Sequence, residues 1–195
     1  MKKIFLVSVL FVLSMSVFAH GFNNKGLGLM KYNPNPTSGD VGSALNLYLG
    51  PGNSNGFGFT FGADFEIPLI DPNLTIGPGV GFGIGHASYW GYSVTTTDIK
   101  LDAIAYYYFD WLIPSMPDQF DVFINSTAGI KIRNTTERYE SYYYGYDIKD
   151  VHESSIVFDF ETYVGGRWNF SDKMSLYAKA GYGSYYGAFG ISFKF

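Results

Sequence analysis

Apolar and polar residues alternate along most of the chain after residue 40. In one segment, for example, Phe57, Phe59 and Phe61 share a face that opposes Thr60 and Asp64. A period of two residues places successive side chains on opposite faces of a β-strand. The pattern therefore predicts an all-β fold with eight strands. These cover residues 41–50, 56–67, 74–87, 97–109, 119–133, 154–169, 173–182 and 187–195.

Alternation of this kind also occurs in soluble β-sandwiches, so three further features decide between the two folds. Several segments exceed ten residues, whereas strands of soluble proteins average about five or six. Large aromatic residues gather near segment ends, as at 106–111, which is typical of the aromatic girdles of membrane barrels. The predicted connections also differ in length, from a short turn near 71–73 to long loops at 88–96 and 134–153. Together these features favour a closed antiparallel up-and-down transmembrane β-barrel of eight strands.

The last predicted strand has apolar residues on one face. Its opposite face has small or polar residues such as Ser192. An unpaired apolar strand promotes aggregation in water, but the last strand of a closed barrel seals against the first and turns its apolar face to lipid. The segment resembles the C-terminal signal that the barrel-assembly machinery of bacterial outer membranes reads. The predicted assembly signal consists of Phe189, Ile191, Phe193 and Phe195.

Residues 1–19 have the features of a secretory signal peptide. Lys2 and Lys3 precede an apolar stretch that is too short to span a bilayer, and the residues up to Ala19 fit a cleavage site. Cleavage there would leave an N-terminal segment, 20–40, followed by the barrel, 41–195. Residues 26–32 could extend the first strand, lie in the lumen or contribute to a ten-stranded barrel, and the sequence leaves these three options open.

The amino-acid composition excludes several kinds of site and partner. The chain has no cysteine, which excludes disulfides, thiolate metal sites and a cysteine nucleophile. Charged residues make up only 15% of the chain and aromatic residues 19%. The formal net charge is −4 and no basic cluster occurs, so the electrostatic footprint of nucleic-acid binding is missing.

The polar face of the predicted strands has seven acidic and seven basic side chains. The interior of an eight-stranded barrel is only wide enough for side chains to fill, so these charges predict a paired, non-conducting polar core. Strand pairing centred near 114–115 and 145 would place Lys131 between two of the acids, Asp98 and Asp159; a slip of two residues would give Arg133 that position. The fourteen predicted interior charges are Asp64, Glu66, Asp98, Lys100, Asp102, Asp121, Lys131, Arg133, Asp159, Glu161, Arg167, Lys173, Lys179 and Lys194.

The third predicted strand has glycine at every second position from 77 to 85. No G-x-G-x-x-G spacing with a following lysine occurs there, so a phosphate loop is not indicated. Glycine on the interior face makes room for bulky side chains from across a narrow barrel, or permits strong local coiling of the strand.

Taken together, these features resemble the small outer-membrane β-barrel proteins of bacteria, which include adhesion, structural and porin-like members. The resemblance implies residence in the outer membrane, contact with its lipid and lipopolysaccharide, and assembly by the barrel-assembly machinery. We expect a non-enzymatic barrel with a structural or surface-binding role and without a cofactor. The alternatives are a barrel enzyme that modifies lipid A or phospholipid, and a small passive porin-like channel.

The enzyme alternative depends on His86 and Ser88, because lipid A deacylase-type barrels have a histidine and a serine two residues apart on the lipid-facing surface. No acid that could orient the histidine is evident nearby. The other histidines, His20 and His152, are too scattered for a metal site. The sequence therefore predicts no catalytic, cofactor-binding or metal-binding residues.

The predicted external loop, 134–153, is rich in tyrosine. Tyrosine provides a large contact area at low entropic cost, so this loop is a candidate binding surface; the alternative is that its aromatic tips rest on lipopolysaccharide. Alternation continues along the flanking strands, which predicts that they rise beyond the bilayer. The candidate binding residues are Tyr139, Tyr142, Tyr143, Tyr144 and Tyr146.

Overall fold

The computed structural model describes residues 43–52, 57–69, 71, 73–113, 115–139 and 149–195. These residues form eight strands in one closed ring, in which each strand pairs antiparallel with the next. The closed eight-stranded barrel predicted from the alternation is therefore confirmed. The strands are β1 (Ala44–Pro51), β2 (Phe57–Pro68), β3 (Leu74–Tyr89), β4 (Tyr92–Tyr108), β5 (Phe120–Tyr139), β6 (Lys149–Ser171), β7 (Met174–Tyr182) and β8 (Gly187–Lys194).

The ring closes between β1 and β8, where Ala44 lies opposite Lys194. One residue further along, the Phe195 backbone N–H donates to the Ser43 carbonyl oxygen at 2.9 Å. We call this end of the barrel the base and the opposite end the top. The predicted segment boundaries at 19 and 40, and residues 26–32, lie outside the described residues.

The strands rise to different heights at the top. β3 and β4 pair up to Tyr89 and Tyr92, and β5 and β6 pair up to Tyr139 and Lys149, whereas β7 pairs with β6 only from Thr162 towards the base. The upper parts of β3 to β6 therefore form a four-stranded extension above the rest of the wall. We call it the raised sheet, and it consists of residues 86–89, 92–97, 134–139 and 149–155.

The raised sheet corrects two predicted loops. Most of 88–96 is strand, and only Trp90 and Gly91 form the turn, where Gly91 has a φ of 70° that glycine adopts without a Cβ clash. The described residues of 134–153, namely 134–139 and 149–153, are also strand. The apolar contrast between the faces is weak in this region because polar residues occupy both, with Thr95 and Thr97 on one face and Thr96 on the other.

The two faces of the barrel wall have opposite chemistry. Apolar side chains such as Phe59, Val80 and Leu101 are exposed on the outside, while the charged side chains Glu66, Lys100 and Glu161 are buried inside. No helix among the described residues is long and apolar enough to cross a membrane.

Inward-facing glycines make room for interior tyrosines, as the third predicted strand suggested. A Cβ added to Gly81 would lie 3.2 Å from the Tyr48 hydroxyl, and one added to Gly62 would overlap that same hydroxyl. Gly166 differs because it is exposed, and an added Cβ would meet only the Asp121 carbonyl oxygen, at 3.8 Å.

Gly62→Ala is therefore expected to lower the free energy of unfolding by about 1–3 kcal/mol, the usual cost of overpacking a filled core. Gly166→Ala is the matched control, and it should change stability by less than about 0.5 kcal/mol. Urea unfolding of the folded barrel in detergent measures both. Equal effects of the two substitutions would contradict this account of the interior packing.

Candidate functional site

The interior contains thirteen of the fourteen predicted charges, and they lie on the inward face of the strands. Lys173 is the exception: it lies in the turn between β6 and β7 and is exposed to solvent. The prediction placed it inside because the alternation was extended one residue beyond the start of β7 at Met174. The described interior therefore has seven acids and six bases instead of an equal number.

Near the base, Glu66 and Arg167 form a buried ion pair at 2.5 Å. The Glu66 carboxylate also accepts hydrogen bonds from Asn46 at 2.7 Å, Thr75 at 2.6 Å and Tyr108 at 2.7 Å. These donors come from β1, β3 and β4, and Arg167 comes from β6. The carboxylate thus ties five strands together across the lumen, since Glu66 itself belongs to β2.

The Arg167 guanidinium also packs on aromatic rings. Its central carbon lies 5.3 Å from the centre of the Tyr108 ring, 5.8 Å from Phe123 and 6.0 Å from Tyr177. Cation–π contacts at these distances stabilise a desolvated cation. The sequence pattern does not place Phe123 in the interior. Interior positions are predicted from their charged side chains, and Phe123 is an apolar residue among the polar positions of β5.

In the middle of the barrel, Lys179 is enclosed by four tyrosine rings. Its ammonium nitrogen lies 4.7 Å from the ring centre of Tyr48, 5.1 Å from Tyr163, 5.7 Å from Tyr185 and 5.8 Å from Tyr106. It donates a hydrogen bond to the Asn125 side-chain oxygen at 3.0 Å. We call these four tyrosines and Lys179 the lysine cage.

The lysine cage corrects the interpretation of the aromatic residues near the end of β4. Tyr106 was assigned to an aromatic girdle, but it is fully buried in the lumen. Its hydroxyl donates to Asp64 at 3.0 Å, which a girdle position in lipid would not offer. Sequence position alone does not separate the two roles, because tyrosine suits both an interface and a polar core.

Towards the top, Lys100 is surrounded by carboxylates. Its ammonium nitrogen lies 2.6 Å from Glu161, 3.1 Å from Asp159 and 3.5 Å from Asp102. Lys131 lies 3.0 Å from the other Asp159 oxygen, so the two lysines share this carboxylate. The predicted contact between Lys131 and Asp159 is therefore present, although the backbone of Lys131 lies opposite Val157.

The other half of the Lys131 prediction is wrong. Asp98 lies opposite Arg133, and the two side chains form a bidentate pair at 2.8 and 2.7 Å. The backbone of Lys131 lies opposite Lys100. The register between β4 and β5 therefore differs by two residues from the predicted one. A slip of two residues keeps every side chain on its face, so the alternation does not reveal it.

The surface of the described residues includes two depressions of different size. One, of about 470 Å³, lies on the outer wall among small residues that include Ala178, Ala180 and Gly187. The other, of about 210 Å³, lies beside the β3–β4 turn and includes His86, Ser88 and Arg138. Within the described residues, no group of three or more histidine, aspartate or glutamate side chains is placed to hold a metal ion.

The enzyme alternative finds little support at the second depression. His86 Nδ1 forms a hydrogen bond of 3.0 Å with the Thr95 hydroxyl. Among the described side chains, no carboxylate forms an ion pair with His86. A serine nucleophile needs a base within hydrogen-bond reach and a group that orients the base, and the side chain bonded to His86 is the Thr95 hydroxyl, which carries no negative charge.

The raised sheet has hydrogen-bonded histidines on its outer face and a pair of tyrosines on its inner face. On the outer face, His86 bonds Thr95, and in the same cross-strand row Thr136 bonds His152 at 3.0 Å. On the inner face, the rings of Tyr92 and Tyr139 lie 4.9 Å apart.

Tyr139 is the described member of the predicted tyrosine surface. It donates to Glu137 at 2.7 Å, and this hydrogen bond to the carboxylate raises the pKa of Tyr139 to about 12. The remaining members, Tyr142, Tyr143, Tyr144 and Tyr146, lie outside the described residues.

The predicted assembly-signal residues form the outward face of β8. Phe189 is exposed, Ile191 and Phe193 are half-buried, and Phe195 follows the end of the strand with 77% of its surface exposed. The Phe195 ring lies 6.5 Å from the ring of Phe65 on β2.

Several solved structures are similar to this chain, including the two that follow. The N-terminal β-barrel domain of Pseudomonas aeruginosa OprF has 17% sequence identity and a TM-score of 0.46, and the match covers 80% of this chain and 98% of that domain. Neisserial surface protein A has 13% identity and a TM-score of 0.40, with 78% of this chain and 94% of that chain covered. No protein-family model and no curated protein matches the chain. The fold itself, a closed antiparallel ring of eight up-and-down strands, is established by the strand pairing.

Proposed function

We propose that this chain is an integral outer-membrane β-barrel that conducts no solute, performs no catalysis and presents the raised sheet as an external binding surface. One observation carries the proposal: the barrel is apolar outside and charged inside. A water-soluble protein has the reverse arrangement, whereas a barrel in lipid requires this one.

The apolar outer belt runs around the whole ring. Soluble monomers rarely expose apolar patches larger than a few hundred Å², because apolar surface in water costs about 25 cal/mol per Å². Lipid removes that cost. The belt contains exposed residues from every strand, including Leu49, Phe61, Val80, Leu101, Ile130, Phe158, Leu176 and Phe189.

The filled lumen supports a sealed barrel over the porin-like alternative. The Glu66–Arg167 pair, the lysine cage and the carboxylates around Lys100 occupy successive levels between base and top. An eight-stranded barrel leaves little space beyond such side chains. Single-channel recording in planar bilayers is expected to show no steady current, and a reproducible conductance would contradict the sealed lumen.

The raised sheet supports surface binding over a purely structural role. Above Thr162, no described residue pairs with the β7 side of β6, so this part of β6 is a free strand edge. Free edges and exposed tyrosines are both common recognition elements. The ligand would be a surface molecule, in addition to the lipid and lipopolysaccharide that surround the barrel.

Heat modifiability tests the proposal. A folded membrane barrel resists detergent at room temperature and migrates faster on a gel than the boiled chain. We expect this shift in the outer-membrane fraction of cells that express the full chain, after removal of residues 1–19. A monomer that stays soluble without detergent would contradict the proposal.

Deletion of Phe195 is expected to impair insertion while leaving export intact, because the terminal aromatic residue belongs to the proposed assembly signal. Leu176→Ala is the matched control, since it also removes an exposed apolar side chain from the outer wall but lies outside that signal. Pulse–chase labelling with cell fractionation measures both. Normal insertion of the truncated chain would argue against recognition of this residue.

A further inference from the structure

The connection between β4 and β5, residues 109–119, is longer than the other two at the base. There β2 and β3 are joined across residues 69–73, and β6 and β7 across residues 172–173. A tight antiparallel hairpin needs only two to five connecting residues. The length of 109–119 is therefore not required for strand pairing.

Internal hydrogen bonds order this connection. The Leu112 N–H donates to the Phe109 carbonyl at 3.0 Å and the Ile113 N–H to the Asp110 carbonyl at 2.9 Å, which forms a 3₁₀ turn over Asp110–Leu112. At the other end, the Phe120 N–H donates to the Pro117 carbonyl at 2.9 Å. These bonds hold the described backbone at both ends of the connection.

The 3₁₀ turn and the residue after it present apolar side chains to the surroundings. Leu112 is 45% exposed and Ile113 is 41% exposed. The connection leaves the wall at Phe109 and rejoins it at Phe120. Tyr108 and Phe123, which pair across β4 and β5, are buried inside the barrel. Because side chains alternate between faces, Phe109 and Phe120 lie on the outward face. The apolar surface of the connection is therefore continuous with the lipid-facing wall.

Exposed aromatic residues lie beside this surface at the base of the neighbouring strand, β6. Trp168 and Phe170 lie at the lower end of β6, and Trp168 pairs with Phe120 on β5. Such rings at the end of a barrel wall mark the level of the lipid headgroups. The acids of the connection are Asp110 and Asp118, and it has no basic residue, so attraction to anionic lipid does not contribute.

We infer that the described residues of this connection, 109–113 and 115–119, form an interfacial foot, in which Leu112 and Ile113 insert into the headgroup boundary of the periplasmic leaflet and bind phospholipid. The inference rests on the proposed membrane location. Apolar side chains at the boundary gain from leaving water, and the prior ordering of the turn reduces the entropy lost on insertion. The foot would fix the depth of the barrel in the bilayer.

Site-specific fluorescence tests the foot, because the chain has no cysteine and accepts a single labelled one. Ile113→Cys and Leu112→Cys carry an environment-sensitive label, and the full chain is folded into phosphatidylcholine vesicles that contain nitroxide-labelled lipid. Asp118→Cys is the matched control within the same connection. We expect the labels at 112 and 113 to be quenched several-fold more strongly than the label at 118, with little dependence on salt.

A second control, Val80→Cys on the middle of the outer wall, separates failure of the foot from failure of the proposed membrane location. Quenching at Val80 together with water-like fluorescence at 112 and 113 would overturn the foot and leave the membrane barrel intact. Those residues would then face water or a periplasmic protein. No quenching at Val80 would contradict the membrane location and the foot with it.

Discussion

Arg167→Met is expected to destabilise the folded barrel by about 3–5 kcal/mol, the cost of leaving a buried charge without its partner. The Glu66 carboxylate would remain fully buried, and the neutral donors Asn46, Thr75 and Tyr108 would not replace the lost positive charge. The substitution also removes the cation that packs on the Tyr108 ring. Urea unfolding in detergent micelles, followed by tryptophan fluorescence, measures the loss.

Arg138→Met is the matched control, since it also removes an arginine from an ion pair. The Arg138 and Asp150 side chains are 52% and 38% exposed, and they lie 3.2 Å apart on the raised sheet. Exposed pairs contribute about 0–1 kcal/mol, so this variant should be nearly as stable as the parent. Adding Glu66→Gln to Arg167→Met should recover much of the loss, because it removes the orphaned charge. A small effect of Arg167→Met would indicate that water enters the lumen near the base.

Lys100→Met is expected to cost about 3–5 kcal/mol and to cost more than Lys131→Met. Lys100 is the ammonium nearest to Glu161 and also contacts Asp159 and Asp102, so its removal leaves a concentration of buried negative charge. Loss of Lys131 leaves Asp159 still paired with Lys100 at 3.1 Å. We therefore expect Lys131→Met to cost about 1–3 kcal/mol, the value of a charge-assisted hydrogen bond.

The comparison of these two lysines tests which of them holds the upper carboxylates together. Both variants replace lysine by methionine at inward positions of adjacent strands, so their loss of side-chain volume is the same. Neither should open a conducting path, because the surrounding side chains continue to fill the lumen. Equal unfolding midpoints for the two variants, or a greater loss for Lys131→Met, would contradict the contacts described for Lys100.

The sequence by itself determined which side of the wall most residues face. Strand geometry has a period of two, so Phe57, Phe59 and Phe61 had to share a face that excludes Thr60 and Asp64. The same rule placed thirteen charged residues in the interior. The closed barrel followed from strand length and from an apolar final strand that needs a partner.

Only the tertiary structure decided which interior residues meet. A shift of two residues preserves every face, so alternation could not distinguish Lys131 from Arg133 as the partner of Asp98. The height of the raised sheet was also underestimated, because strands that leave the apolar belt lose the contrast between faces on which the prediction depended.

The contacts of the lysine cage are also beyond what alternation along the sequence can predict. Tyr48, Tyr106 and Tyr163 belong to β1, β4 and β6, and they approach Lys179 only because the ring closes. Local patterning fixes which face a side chain occupies, whereas contacts across the lumen depend on strand register and ring closure. These are properties of the whole chain, so they are not encoded in any single segment.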